Sequence, residues 1–165
     1  MGGFGAMSYA ARHPDLFAAA SSYSGALDIQ NLTDETAIRY FPVIFNNEIS
    51  GAIFGPNLLD GPALAAHNPV NLAGLKRIAM YTGNGLPGPF EALYPNVLVD
   101  ASEVAGGILE NTIHANNVTM DQKLTSLGIP HIFDDYGNGT HTYLYINRDL
   151  QWDLPGIVAA LAPAK

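Results

Sequence analysis

Apolar and polar positions along the chain follow two alternating rhythms. Residues 2–13 carry Gly and Ala along one side, the pattern of a helix packed closely under a sheet. Pro14 stops that helix, because the residue before a proline avoids helical geometry. Leu16 to Ser24 is a small, apolar, strand-like run ending in Ser-Gly. Arg77 to Thr82 is a second short apolar strand, closed by Gly83-Asn84-Gly85. Residues 99–127 are helical in pattern, with Met120, Leu124 and Leu127 at i, i+4 and i+7. Gly106-Gly107 breaks or kinks this stretch, and Gly128 ends it. Ile129 to Asp135 is a third strand, followed by the loop Gly137-Asn138-Gly139. A final helix covers 143–162, with Leu144, Leu150 and Leu154 facing inward and Pro155 at a kink or junction.

Residues 27–70 show little periodicity and are punctuated by Pro42, Gly51, Gly55, Pro56, Gly61, Pro62 and Pro69. They form a long excursion with short helices around 34–40 and 60–66, placed above the strand ends, where insertions often carry a substrate pocket. The element order is helix, strand, insertion, strand, helix, strand, helix. Strands alternating with helices predict an α/β chain with about three parallel strands and crossover helices. The expected organisation is a single domain over 1–165 with an insertion at about 27–70.

Composition narrows the function classes. Apolar residues make up 48% and charged residues 13%, about half the usual ~25% share of charge, so few charges are left to cover a surface. The formal charge is −8 and no Lys/Arg cluster occurs, which argues against nucleic acid and gives no pull toward anionic lipid heads. The absence of cysteine excludes disulfides and thiol catalysis. No apolar run approaches the ~18 residues of a membrane span. The start lacks the charged and apolar regions of a signal peptide, and Ala6 stands where a myristoylation pattern wants Ser or Thr. Asn31, Asn117 and Asn138 each open an Asn-x-Thr sequon, a weak signal in an Asn-rich chain.

The residues able to do chemistry fit acyl transfer best. A serine nucleophile needs a base for its proton, an acid that holds that base in one tautomer, and N–H donors for the oxyanion. In α/β-hydrolases the chain order is serine, acid, histidine, with the histidine in a loop after the last strand. His141 has that location, which a helix-capping or surface histidine would occupy equally well. Candidate acids are Asp100, Glu103, Glu110, Asp134 and Asp135. Glu110 stands out because Ile108, Leu109 and Ile113 surround it, and a carboxylate in apolar company needs a partner. A solvated helix face accounts for Asp100 and Glu103, and a strand-end turn for Asp134-Asp135. His13 caps a helix, His67 lies in a turn, and His114 is a surface neighbour of Glu110. His131, Asp134 and His141 could form a metal site, but no tight ligand motif supports it. Gly2-Gly3-Phe4-Gly5 lacks the spacing of a nucleotide loop.

The stretch from Met1-Gly-Gly-Phe-Gly-Ala-Met to Ser-Ser-Tyr-Ser-Gly resembles the helix and strand that follow the serine in esterase D-like α/β-hydrolases. Phe54-Gly55-Pro56, His67-Asn68-Pro69, Tyr81-Thr82-Gly83-Asn84-Gly85, Ile108-Leu109-Glu110 and Asn138-Gly139-Thr140-His141, followed by Tyr143, Tyr145 and Asn147, are similar to the antigen 85 mycolyltransferase group and its secreted esterase relatives. They occur in the family's order across nearly the whole chain. The resemblance implies that His141 is the general base, that Glu110 is the catalytic acid inside a helix, and that the backbone N–H of Met1 helps form the oxyanion hole. Tyr143 stands where the family often has a tryptophan near the acyl site. No cofactor and no metal are implied.

The family's Gly-x-Ser would immediately precede Met1, and the second oxyanion donor would lie upstream as well. The implied whole is an eight-strand α/β-hydrolase sheet, of which this chain is the C-terminal part supplying the last three strands. The strand near 17–23 would then be an exposed edge, open to self-association. The expected activity is that of a serine esterase or acyltransferase on a small-molecule or lipid acyl ester, with water or a sugar hydroxyl as acceptor, inactive without the serine. Kinship points to a secreted or cell-envelope protein. The alternatives are a non-catalytic fragment acting by binding and a metal-dependent hydrolase built on His131, Asp134 and His141.

Overall fold

The computed structural model describes residues 2–28, 62, 66, 68–69, 74–91 and 101–162. Six regular elements lie among them: α1 (Gly2–Arg12), β1 (Ala19–Tyr23), β2 (Arg77–Thr82), α2 (Ala101–Ser126), β3 (Ile132–Asp135) and α3 (Tyr143–Leu161). The strands form one parallel sheet in the order β1-β2-β3, with Ala19 opposite Arg77 and Ala79 opposite Ile132. The expected α/β architecture is therefore present, with β2 in the centre and β1 at an edge. The helix expected near 34–40 and the Phe54-Gly55-Pro56 and His67 positions lie outside the described residues; of the helix expected near 60–66, residues 62 and 66 are described and are helical.

The pleat sorts the sheet into two chemically different faces, since successive side chains point to opposite sides. Ala20, Ile78, Met80 and Phe133 share one face. Met7 and Ala10 of α1 and Met120 and Leu124 of α2 close over it, with Leu27, as the hydrophobic core. Gly3 makes the seat of α1 close: a Cβ there would lie 2.4 Å from Ser22 Oγ and 2.9 Å from Gly25 Cα. Gly and Ala on that side of α1 thus do what their pattern predicts.

The opposite face carries Ser21, Tyr23, Arg77, Tyr81 and Asp134, and α3 covers it with its own polar stripe. Tyr145, Asp149 and Asp153, at i, i+4 and i+8, are its buried residues. Asp153 accepts hydrogen bonds from Tyr23 Oη (2.9 Å) and Tyr81 Oη (3.0 Å) and pairs with Arg77 Nη2. Burial alone would raise the Asp153 carboxyl; these donors outweigh it and hold the group below the ordinary carboxylate range. The same burial, with Asp153 alongside, pushes the Tyr81 hydroxyl up to about 12.

Leu144, Leu150 and Leu154 therefore point outward, not inward as their spacing predicts. The physical reason is the partner surface. A sheet face bearing Arg77 and two tyrosines is satisfied by carboxylates, not by leucines. Two further expectations are corrected. Gly106-Gly107 does not break α2, which runs unbroken from Ala101 to Ser126. A Cβ on Gly107 would lie 2.7 Å from the Gly85 carbonyl oxygen, so the glycine serves close approach to the loop after β2. Leu127 lies beyond the end of α2 and is exposed. Pro155 sits inside α3 without ending it. Among the described residues no helix is long and apolar enough to cross a membrane.

Two stability effects are expected from this polar interface. A Cβ at Gly156 would lie 2.4 Å from Arg77 Cζ, whose guanidinium cannot withdraw without leaving the buried Asp153 carboxylate without its cation. Displacing such a pair costs ~3 kcal/mol, against a helix-propensity gain of ~1 kcal/mol. Gly156→Ala should thus lose about 2 kcal/mol in urea denaturation. Asp149 behaves differently. Burial pushes its carboxyl up to about 6, with Arg148 opposing, and its Oδ2 is buried without a hydrogen-bond partner. A carboxyl raised in the folded state binds more protons folded than unfolded, so its contribution to stability falls as pH rises from about 4 to about 6. Asp149→Asn removes that term. The melting temperature of the variant minus that of the wild type should increase across this window in thermal melts.

Candidate active site

Glu110 sits where α2 crosses the carboxyl ends of β1 and β2, the place where open parallel sheets hold their ligands. Its side chain is fully buried. Oε1 accepts three hydrogen bonds: from Ser24 Oγ (2.7 Å), Thr82 Oγ1 (3.0 Å) and Gly83 N–H (2.9 Å). Oε2 is left for His141, whose Nδ1 lies 2.7 Å away. Four partners compensate the burial of this carboxylate, which would otherwise be costly.

Ser24 reaches Glu110 through an unusual backbone. It follows β1 with φ 52°, in the left-handed region, the one non-glycine residue with positive φ among the described residues. Such a conformation costs on the order of 1 kcal/mol for a residue with a Cβ. Its N–H continues the sheet ladder to the Tyr81 carbonyl (2.9 Å) while its hydroxyl turns onto the carboxylate.

His141 is brought in by the loop after β3. Asn84 N–H bonds the Gly137 carbonyl (2.8 Å) and Gly85 N–H the Gly139 carbonyl (3.0 Å), which ties this loop to the one after β2. The backbone N–H of His141 donates to the Gly106 carbonyl (3.3 Å), one turn of α2 before Glu110. Glu110 and His141 are thus docked by main chain as well as by side chain. With Nδ1 as the donor to Glu110, the lone pair falls on Nε2. The imidazole is partly exposed, at 26%. A histidine held in one tautomer by a buried carboxylate is the base–orienter arrangement of acyl-transfer enzymes.

The start of α1 borders the same place, since Gly3 abuts Ser22 and Gly25 on either side of Ser24. Met1 itself, Asp100 and the side chain of Glu103 lie outside the described residues. Tyr143 opens α3 two residues past His141 and is 86% exposed. The remaining histidines go elsewhere. His114 meets Asp135 (2.8 Å), not Glu110. His131 bonds the Ile129 carbonyl (2.8 Å) and Asp121 (2.9 Å), not Asp134. Among the described residues no group of three His, Cys, Asp or Glu side chains converges as metal ligands would, so the His131–Asp134–His141 alternative has no geometry behind it. Ser24 and Thr82 escape the reading of the sequence. Their only signal is position, each at a strand's end before a glycine.

The described chain is thus a parallel α/β sheet with a His–Glu pair at the carboxyl ends of its strands. Comparison with known proteins narrows this. The model of the Esterase family, described as "Putative esterase", matches residues 1–157, and the chain belongs to that family. It is 28% identical over 167 residues to Esterase Rv1288 of Mycobacterium tuberculosis, covering 99% of this chain and 33% of that protein. It is 27% identical over 179 residues to the diacylglycerol acyltransferase/mycolyltransferase Ag85B of Mycolicibacterium smegmatis, covering 98% of this chain and 49% of that one. The chain thus spans about a third to a half of the length of these relatives. Among solved structures, MPT51 (FbpC1) of M. tuberculosis superposes with TM-score 0.73 at 23% identity, over 98% of this chain and 57% of that one. FphF, a fluorophosphonate-binding serine hydrolase of Staphylococcus aureus, superposes with TM-score 0.59 at 19% identity, over 98% and 51%. These two likenesses show the fold, and this chain covers about half of each.

The donor set around Glu110 makes a direct prediction. Thr82→Val keeps the shape and strand preference of the residue but removes one hydrogen bond to a buried charged group. The expected cost is about 1.5–3 kcal/mol, read from the urea midpoint at unchanged slope.

Proposed function

We propose that this chain carries the general base and the orienting acid of a serine esterase or acyltransferase that works on acyl esters through an acyl-enzyme. The observation that carries the proposal is the 2.7 Å contact of His141 Nδ1 with the buried Glu110 carboxylate. In the proposed reaction His141 Nε2 takes the proton of a serine hydroxyl as its oxygen attacks the ester carbonyl carbon. The resulting oxyanion is held by N–H donors, the Met1 amide among them. His141 then hands the proton to the departing alcohol, leaving an acyl-serine. Water or a sugar hydroxyl repeats the sequence in reverse, giving an acid or a new ester. Glu110 keeps the imidazole in the working tautomer and stabilises its cationic form. Tyr143 would contact the acyl group from the rim.

The mechanism needs a nucleophile, and we take it to be the serine of a Gly-x-Ser that in the family motif stands directly before Met-Gly-Gly. Removing that serine from a comparable triad costs on the order of a million-fold in kcat. Relatives 27–28% identical to this chain are named for esterase and acyltransferase activity, which supports an acyl ester as substrate.

A second function, binding without catalysis, draws on a different observation. Leu150, Leu154, Val158 and Leu161 form an exposed apolar ridge on the outer side of α3, and β1 has an unpaired edge among the described residues. Both would favour association with another chain.

A fluorophosphonate probe separates the two. Residues 1–165 alone should not label; the same chain extended by in-frame sequence carrying Gly-x-Ser should, and His141→Ala or Glu110→Ala should abolish it. Labelling that survives His141→Ala would refute the proposed triad.

A further inference from the structure

A second carboxylate, away from the acid–base pair, grips the loop that carries His141. Glu91 closes the described part of the loop after β2. Its Oε1 accepts the Thr140 hydroxyl, and its Oε2 accepts Tyr145 Oη (2.5 Å) and the Gly88 N–H (2.9 Å). Thr140 immediately precedes His141, and Tyr145 follows it by one helical turn. One carboxylate therefore ties down the chain on both sides of the base. Tyr145 is in turn almost fully buried, stacked on Tyr136 (5.4 Å between centroids) and edge-on to Phe90 (4.8 Å). The segment leading into the first anchor contains Gly137 at φ 76° and Gly139, and between the anchors the backbone bond from His141 to Gly106 is long at 3.3 Å.

From this geometry we infer that Glu91 is a positioning residue for the base: it fixes Thr140 and Tyr145, and through them the placement of His141 against Glu110. The inference deepens the proposed function and rests on it. Glu91 touches neither member of the pair, so it acts only through the loop. Burial alone would raise its carboxyl, but the bonds from Thr140, Tyr145 and Gly88 hold it below the ordinary range, which keeps it an acceptor at neutral pH. An error of 1 Å in placing a base can cost a hundredfold in rate, and a loop containing two glycines needs such a clamp.

The Nδ1 proton of His141, shared with Glu110, provides a readout that does not require turnover. In protein labelled with ¹⁵N-histidine, this proton is identified by its loss in His141→Ala, and its exchange with water is followed by NMR. Glu91→Ala should speed that exchange at least about tenfold, the factor for losing one hydrogen bond to a charged group. The nearly isosteric Thr140→Val/Tyr145→Phe variant removes both side-chain donors without opening a cavity, and should do the same. The His131 ring, bonded to Asp121 on the far part of α2, should be unchanged in each and reports an intact fold. If Glu91→Ala does not fold, the double variant decides. Unchanged His141 exchange in that folded variant overturns the role of Glu91 and leaves the acid–base pair standing. No protected His141 Nδ1 proton in the wild type would instead overturn the pair itself, and the positioning role with it.

Discussion

The constraint on which the rest of this structure depends is the solvation of one buried carboxylate. Glu110 is fully buried, and an unpaired charge there would cost several kcal/mol. Its four partners come from three different parts of the chain: Ser24 beyond β1, Thr82 and Gly83 at the end of β2, and His141 beyond β3. Satisfying Glu110 therefore requires that all three strand ends meet α2 at one point. The carboxylate that holds His141 also fastens the sheet to its crossover helix. Strain is accepted to complete the set, since Ser24 holds a left-handed backbone to bring its hydroxyl within 2.7 Å.

Carboxylates organise the molecule on the other side as well. Asp153 joins α3 to the polar face of the sheet through Arg77, Tyr23 and Tyr81, and Glu91 joins the loops after β2 and β3. Asp149 contrasts with them. It is buried with one oxygen unpartnered and has only its neighbour Arg148 for compensation, which is why its carboxyl rises while that of Asp153 falls. A sheet apolar on one face and polar on the other explains how a chain with only 13% charged residues can still bury several of them. They are concentrated where the helices and loops need fixed partners, and the ordinary hydrophobic core is confined to the side covered by α1 and α2.

Much of this was legible in the sequence. The alternation of short apolar strands with helical stretches predicts the parallel sheet, and β2 has the predicted bounds. His141 was legible from its place after the last strand, and Glu110 from its apolar neighbours and from the resemblance to the esterases. The error on α3 is instructive. The spacing of Leu144, Leu150 and Leu154 indicates a buried stripe only if the facing surface is apolar, and Arg77 on that surface reverses the outcome. Gly106-Gly107 looks like a helix break because glycine weakens helices; here it is tolerated because the backbone of the loop after β2 comes too close for a side chain.

By itself, the sequence determined the succession of elements and singled out His141 and Glu110, which the fold brings together. These depend on local spacing, on side-chain chemistry and on motifs contiguous in the chain. Only the tertiary structure decided which side of α3 turns inward, which donors satisfy Glu110, and that Glu91 grips the loop of the base. Ser24 and Glu110 are 86 residues apart, and Glu91 and Tyr145 are 54 apart. Hydrogen-bond partners at such separations leave no periodic trace along a chain, and they meet only because folding brings the strand ends together.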